Sequence, residues 1–172
     1  MQSSWSTPLP YESLTMAESP TPSDAPQLQY LDDLQPGRRF TSGEYLMDEA
    51  LIKGFATQFD PQPFHLDDEA AKSTLFGGLA ASGWHTAAVT MRLLVDGGLP
   101  LAGGIIGASG DLSWPKPTRP GDVLHVESEV ISVTPSRSKP GRGMAVVRIE
   151  TRNQKGDVLQ VFTVNVVVSR RE

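Results

Sequence analysis

The chain has 172 residues, of which 38% are apolar before its 16 glycines are counted. That suits one domain with a sizeable core and excludes wholesale disorder. A net charge of −5 argues against a nucleic-acid partner, whose phosphates call for a basic face. The absence of cysteine excludes disulfides, thiol chemistry and zinc–thiolate sites, and no apolar run approaches the ~18 residues of a membrane span.

Residues 1–26 differ from the rest of the chain. They contain five prolines, at positions 8, 10, 20, 22 and 26, many Ser and Thr, and no Lys or Arg. This composition reads as a Pro/Ser-rich tail before a single domain over 27–172. It is unlike a secretory signal, which opens with basic residues, and the expectation is a cytoplasmic protein.

From Leu31 to Gly37 the sequence reads as a short turn leading into a strand around Phe40–Leu46. Asp48 and Glu49 favour a helix start through capping and the dipole. Leu51, Ile52, Phe55, Ala56 and Phe59 come next at helical spacing. Pro61 and Pro63 then hold Asp60 and Gln62 extended, so the helix ends by Phe59. Asp67 caps a short helical turn over Asp67–Lys72, which Phe76-Gly77-Gly78 breaks.

Ala80 to Val95 is proline-free and predicts the long helix of the fold, with Ser82 as N-cap and Gly97 just past its end. Apolar residues all round predict a buried helix. After Pro100 the period changes to two. Ile106–Trp114, Leu124–Val130, Ala145–Arg152 and Val158–Val168 read as four strands, with a glycine-containing hairpin turn at Asn153–Asp157. The order of elements gives an α+β class, an antiparallel sheet curled round one central helix.

The chemistry concentrates between Phe55 and Met91. Asp60 and His65 lie five residues apart, and the prolines between them favour a curled path that brings carboxylate and imidazole to a common water. Such a pair suits addition and elimination of water, because one group takes a proton and the other supplies one. The start of the long helix adds free backbone N–H groups, and Gly83 lets a ligand approach them closely. A thioester carbonyl placed there would be stabilised as it gains negative charge.

Asp60-Pro61-Gln62-Pro63-Phe64-His65-Leu66-Asp67, followed by Phe76-Gly77-Gly78 and Ala81-Ser82-Gly83-Trp84, resembles the MaoC-like dehydratases, the (R)-specific enoyl-CoA hydratases of hot-dog fold. Trp114–Asp122 resembles that family's proline-rich turn between strands. The resemblance implies Asp60 and His65 as the catalytic pair, the Gly83 amide as oxyanion donor, and Ser82, Gln62, Trp84 and Phe76 around the substrate. Leu75 and Met91 join Phe76 and Trp84 as candidates for the acyl tunnel. It also implies an acyl thioester of coenzyme A or acyl carrier protein as substrate, no cofactor or metal, and a homodimer or higher homo-oligomer. Exposed valines on the last strand would fit such an assembly.

This sequence departs from the family signature twice. Gln62 stands where the family has Asn, and Ser82 where it usually has His. An acyl-CoA thioesterase and a non-catalytic acyl-thioester binding protein are the alternatives. His85 reads as a packing residue in the long helix, His125 as exposed, and Asp67 and Asp68 as caps. Arg137, Lys139 and Arg142, and likewise Lys116 and Arg119, read as solvated loop residues with a contact to coenzyme A phosphates as the functional option.

Overall fold

The computed structural model describes residues 27–171. The segment read as a tail, 1–26, lies outside the described residues. A 3₁₀ turn at Leu31–Asp33 is followed by two short strands, β1 (Arg39–Thr41) and β2 (Tyr45–Met47). The single strand expected over Phe40–Leu46 is thus divided at Ser42–Glu44. β1 pairs with Glu127–Glu129 and β2 with Asp122–Leu124. The Ser42 hydroxyl accepts a bond from the Val126 N–H at 2.8 Å within that break.

Helix α1 (Glu49–Phe59) starts where Asp48 Oδ1 accepts the Leu51 N–H at 2.7 Å, and buries Ile52 and Ala56. Two short helices come next, α2 (Pro63–Leu66) and α3 (Asp68–Lys72). Pro63 opens α2, where its missing N–H costs nothing, and Asp67 caps α3 through the Ala70 N–H. The central helix α4 (Gly83–Leu93) begins at the Ser82 cap and continues into a wider turn at Leu94–Gly98, in which Gly97 has φ 141°.

Four long strands complete the chain: β3 (Ile106–Ser113), β4 (Asp122–Pro135), β5 (Arg142–Arg152) and β6 (Val158–Ser169). The antiparallel sheet runs β1-β4-β5-β6-β3, with β2 also on β4. Leu124, Val126, Val130, Ala145, Val147, Ile149, Val164, Val166 and Val168 line its inner face. With Val89, Leu93, Leu94 and Leu99 from the central helix and its continuation they form one core. This sheet wrapped round a helix is an α+β hot-dog fold.

Two expectations about burial change. α4 is not buried all round. Val89 and Leu93 face the sheet, while Trp84 and Met91, and Val95 in the turn beyond, stand exposed along the opposite side. The valines of the last strand are not exposed either. β6 lies between β5 and β3, with Val164, Val166 and Val168 buried, and β3 forms the edge of the sheet on that side.

β5 leaves no room for a Cβ at Gly143. A Cβ on Gly143 would stand 2.5 Å from Leu31 Cδ2 and 2.6 Å from the Thr134 carbonyl, whereas one on Gly141 would meet nothing within 4 Å. Gly143→Ala should destabilise the protein by about 1–3 kcal/mol through overpacking. Gly141→Ala should change stability far less. Urea denaturation of the two variants checks the difference.

Candidate active site

The site forms where α1 ends and α4 begins. Asp60 closes α1, its N–H bonded to the Ala56 carbonyl at 2.9 Å. Its φ/ψ of −152°/67° turns the chain out of the helix. Pro61 then forces the path through extended Gln62 into the single turn of α2, which carries His65 back over Asp60. His65 Nε2 lies 3.4 Å from Asp60 Oδ2. The two residues the sequence pairs therefore meet, and they do so at the start of α4.

His65 is 4% exposed. Its Nδ1 lies 2.7 Å from the Ala80 carbonyl oxygen. A carbonyl only accepts, so Nδ1 carries the proton, and in the neutral ring Nε2 presents a bare lone pair toward Asp60. Phe64 packs edge-on to the ring at 4.6 Å and Phe76 lies 5.8 Å away.

Asp60 is held on both oxygens. Gln62 Nε2 donates to Oδ1 at 2.7 Å and the Ser82 hydroxyl donates to Oδ2 at 2.6 Å. Burial opposes ionisation of this carboxyl. The bonds from Ser82 and Gln62, joined by a charge on His65 whenever that ring is protonated, outweigh it and hold the group below the usual carboxylate value. Both departures from the family signature therefore act on Asp60. The longer Gln62 reaches back two residues to it. Ser82 caps α4 by accepting the Trp84 N–H at 3.2 Å while giving its own proton to the carboxylate.

A cavity of about 640 Å³ opens onto these groups. Asp60, His65 and Gly83 lie along one side of it, and Phe64, Leu75, Phe76, Ala81, Trp84 and Trp114 form apolar walls. Met91, expected in the acyl tunnel, does not line it. It sits 41% exposed on the outer side of α4. Ser82 is fully buried and touches the site through Asp60 rather than through the cavity.

Trp114 escapes a sequence reading as a site residue. Its ring lies flat over the start of α4, so that a Cβ on Gly83 would stand 2.8 Å from Cε2. Gly83 is thus required by close approach, and its N–H is one of the first-turn donors without an intrahelical acceptor. Gln160 Oε1 takes the Trp114 indole N–H at 2.9 Å. Gln160 in turn donates to Thr90, which pairs with Thr151 at 2.6 Å, and Thr86 pairs with Thr118 at 2.8 Å on the cavity wall. The sequence signal for this row of bonds is Thr86 and Thr90 at helical spacing opposite Gln160, a polar residue in an apolar strand.

The remaining candidates lie elsewhere. His85 is 6% exposed and stacks on Phe55 at 4.6 Å. Burial pushes its pKa down against the opposing charge of Asp48, which keeps it neutral. His125 is half-buried beside Glu127 on the outer sheet face. Asp67 caps α3, as expected, while Asp68 accepts the Leu79 N–H at 2.8 Å. Lys116 stands at the cavity mouth, paired with Asp157 at 2.5 Å. Arg119 is no solvated loop residue. Its guanidinium turns inward onto backbone carbonyls. Arg137, Lys139 and Arg142 do not line the cavity.

An acid and an imidazole set against a helix start, inside a sheet wrapped round that helix, define a hot-dog protein of the hydratase/dehydratase class. The family model described as "MaoC like domain" matches residues 33–153, and the chain belongs to that family. Among solved structures, it is similar to a MaoC-like dehydratase from Rhodospirillum rubrum at 60% identity, with 84% of this chain and 99% of that one covered and a TM-score of 0.83. It is also similar to the (R)-hydratase from A. caviae involved in PHA biosynthesis, at 27% identity, covering 80% and 98%, with a TM-score of 0.61. The uncharacterized protein YdeM of Bacillus subtilis is 32% identical over 126 residues, 73% of this chain and 88% of that protein.

Because the folded Asp60 carboxyl is lowered, it contributes stability above its unfolded value that is lost as pH falls through the folded one. Ser82→Ala removes one of the bonds responsible, and a helix cap worth about 1 kcal/mol. The variant should lose stability at pH 7. Its deficit against wild type should narrow below roughly pH 4, as read by urea denaturation at pH 7 and pH 3.

Proposed function

We propose that the protein reversibly hydrates a 2-enoyl thioester to an (R)-3-hydroxyacyl thioester. The observation that carries this reading is the facing of two acceptors, the Asp60 carboxylate and the bare Nε2 of His65, at one cavity beside Gly83. At 3.4 Å the two leave no room for a water between them. A shared water sits to the cavity side and donates one proton to each. Likeness to the (R)-hydratase from A. caviae supports the reaction type and its stereochemistry.

The chemistry proceeds from that placement. The water oxygen bonds to C3 of the enoyl group as one of its protons passes to the Asp60/His65 pair. The C2–C3 π electrons move onto the thioester oxygen, where the Gly83 N–H meets the developing charge. A proton from the pair then goes to C2 and the enolate collapses to the saturated thioester. The thioester is its own electron sink, so the reaction calls for no cofactor or metal. Coenzyme A or acyl carrier protein would carry the acyl group, with the handle leaving past Lys116 at the mouth.

The assembly proposed is a homodimer. α4 and the turn that continues it present Trp84, Ala88, Met91 and Val95 at the surface, an apolar stripe three to four residues apart, and β3 leaves a free sheet edge. A second copy would cover both. Among the described residues no helix is long and apolar enough to cross a membrane.

Incubation with crotonyl-CoA should remove the enoyl absorbance without releasing thiol. Release of free coenzyme A would instead favour a thioesterase, and binding without turnover an acyl-thioester binding protein. Asp60→Asn and His65→Ala should each lower kcat/KM by about 10²–10⁴-fold, the range for general acid–base groups. In sedimentation, the wild type should run as a dimer, and Ala88→Glu, which places a charge within the stripe, should shift it toward monomer.

A further inference from the structure

The segment Phe76–Leu79 has no regular structure of its own. Gly77 and Gly78 take φ of 63° and 153°, values open to glycine. Yet the next residue, Ala80, supplies the carbonyl that binds His65 Nδ1 at 2.7 Å. The direction of that carbonyl decides which imidazole nitrogen holds the proton. Something must therefore fix a glycine-rich loop to the precision the ring needs.

The grip comes from two sides. On one, Asp68 Oδ1 accepts the Leu79 N–H at 2.8 Å. On the other, the Arg119 guanidinium donates to the carbonyls of Phe76, Gly78 (2.7 Å) and Leu79 (3.0 Å). A planar fork with five N–H donors suits three carbonyls of one loop, and an ammonium does not reproduce it. Arg119 is itself anchored, since its backbone N–H donates to Asp122 Oδ2 at 2.8 Å. Asp122 is buried and also takes the Asn153 side-chain N–H at 3.1 Å. The neighbouring Thr118 carbonyl accepts the Ala81 N–H at 2.9 Å, so the turn grips the chain on both sides of Ala80.

We propose that Arg119 is a positioning residue for His65. It holds the Phe76–Leu79 loop so that the Ala80 carbonyl keeps the proton on Nδ1 and leaves Nε2 bare toward Asp60. Its effect on turnover rests on the reading that His65 handles the protons of hydration. Its effect on the tautomer does not. Arg119 makes no contact with the reacting atoms in this scheme, and its charge serves backbone oxygens rather than a phosphate.

Nitrogen-15 NMR of the imidazole reads the tautomer directly, on the full chain. The wild type should show His65 protonated at Nδ1. Arg119→Met should show a measurable share of the Nε2–H form, and kcat with crotonyl-CoA should fall roughly tenfold to a hundredfold from misplacement of the ring, with far less change in KM. Arg119→Lys, which keeps the charge but not the fork, should fall between, and it carries the test if the Met variant does not fold. A wild-type tautomer in the folded variants overturns the proposal, and so does an unchanged kcat. If the wild-type protein itself turns over no enoyl thioester, the reading of function fails and the tautomer alone decides the role of Arg119.

Discussion

A carbonyl oxygen has no proton to give. The bond between His65 Nδ1 and Ala80 therefore fixes the tautomer of the neutral imidazole, with a backbone carbonyl as the partner of Nδ1. The bare Nε2 of that tautomer, its facing of the Asp60 carboxylate and the shared water of the proposed reaction all depend on that bond. It joins residues 15 positions apart, so its geometry rests on everything that holds the start of α4 against α2. Asp60 is organised from the same place, because Ser82 both opens α4 and donates to the carboxylate. The helix start thus sets His65, Asp60 and the amide of Gly83 together.

Ser82 and Gln62 show how a departure from a family signature is absorbed. In each case the replacement keeps a hydrogen-bond donor within reach of Asp60. A serine hydroxyl donates a short bond but holds its proton tightly at neutral pH. It tunes the carboxylate and, in the proposed reaction, leaves proton traffic to His65.

Much of this is legible in the sequence. Capping residues, proline positions and the change of period from 3.6 to 2 are local signals, and they place α1, α4 and β3–β6. The pairing of Asp60 with His65 is legible because prolines at 61 and 63 leave the chain few ways to run. What stays hidden is long-range or carried by backbone. Nothing in the sequence says that His65 finds the Ala80 carbonyl, or that Arg119 crosses 41 residues to the Gly78 carbonyl. Trp114 reads as a strand residue because its role depends on the absent side chain of Gly83. The exposed side of α4 is not foreseen because apolar residues all round predict burial in a single chain and are equally suited to a partner.

The interface between α4 and the sheet contains more than apolar packing. Thr86 on Thr118, Thr90 on Thr151 and Gln160, and Gln160 on Trp114 form a row of directional bonds in the interior. Apolar surfaces alone resist separation better than they resist sliding. These bonds act as an index that fixes how far along the sheet the rod is seated, since a slip of one turn, about 5.4 Å, would strand every polar group at once. The tip of the helix, and whatever anion forms against it, is thereby located by hydroxyls well behind the cavity.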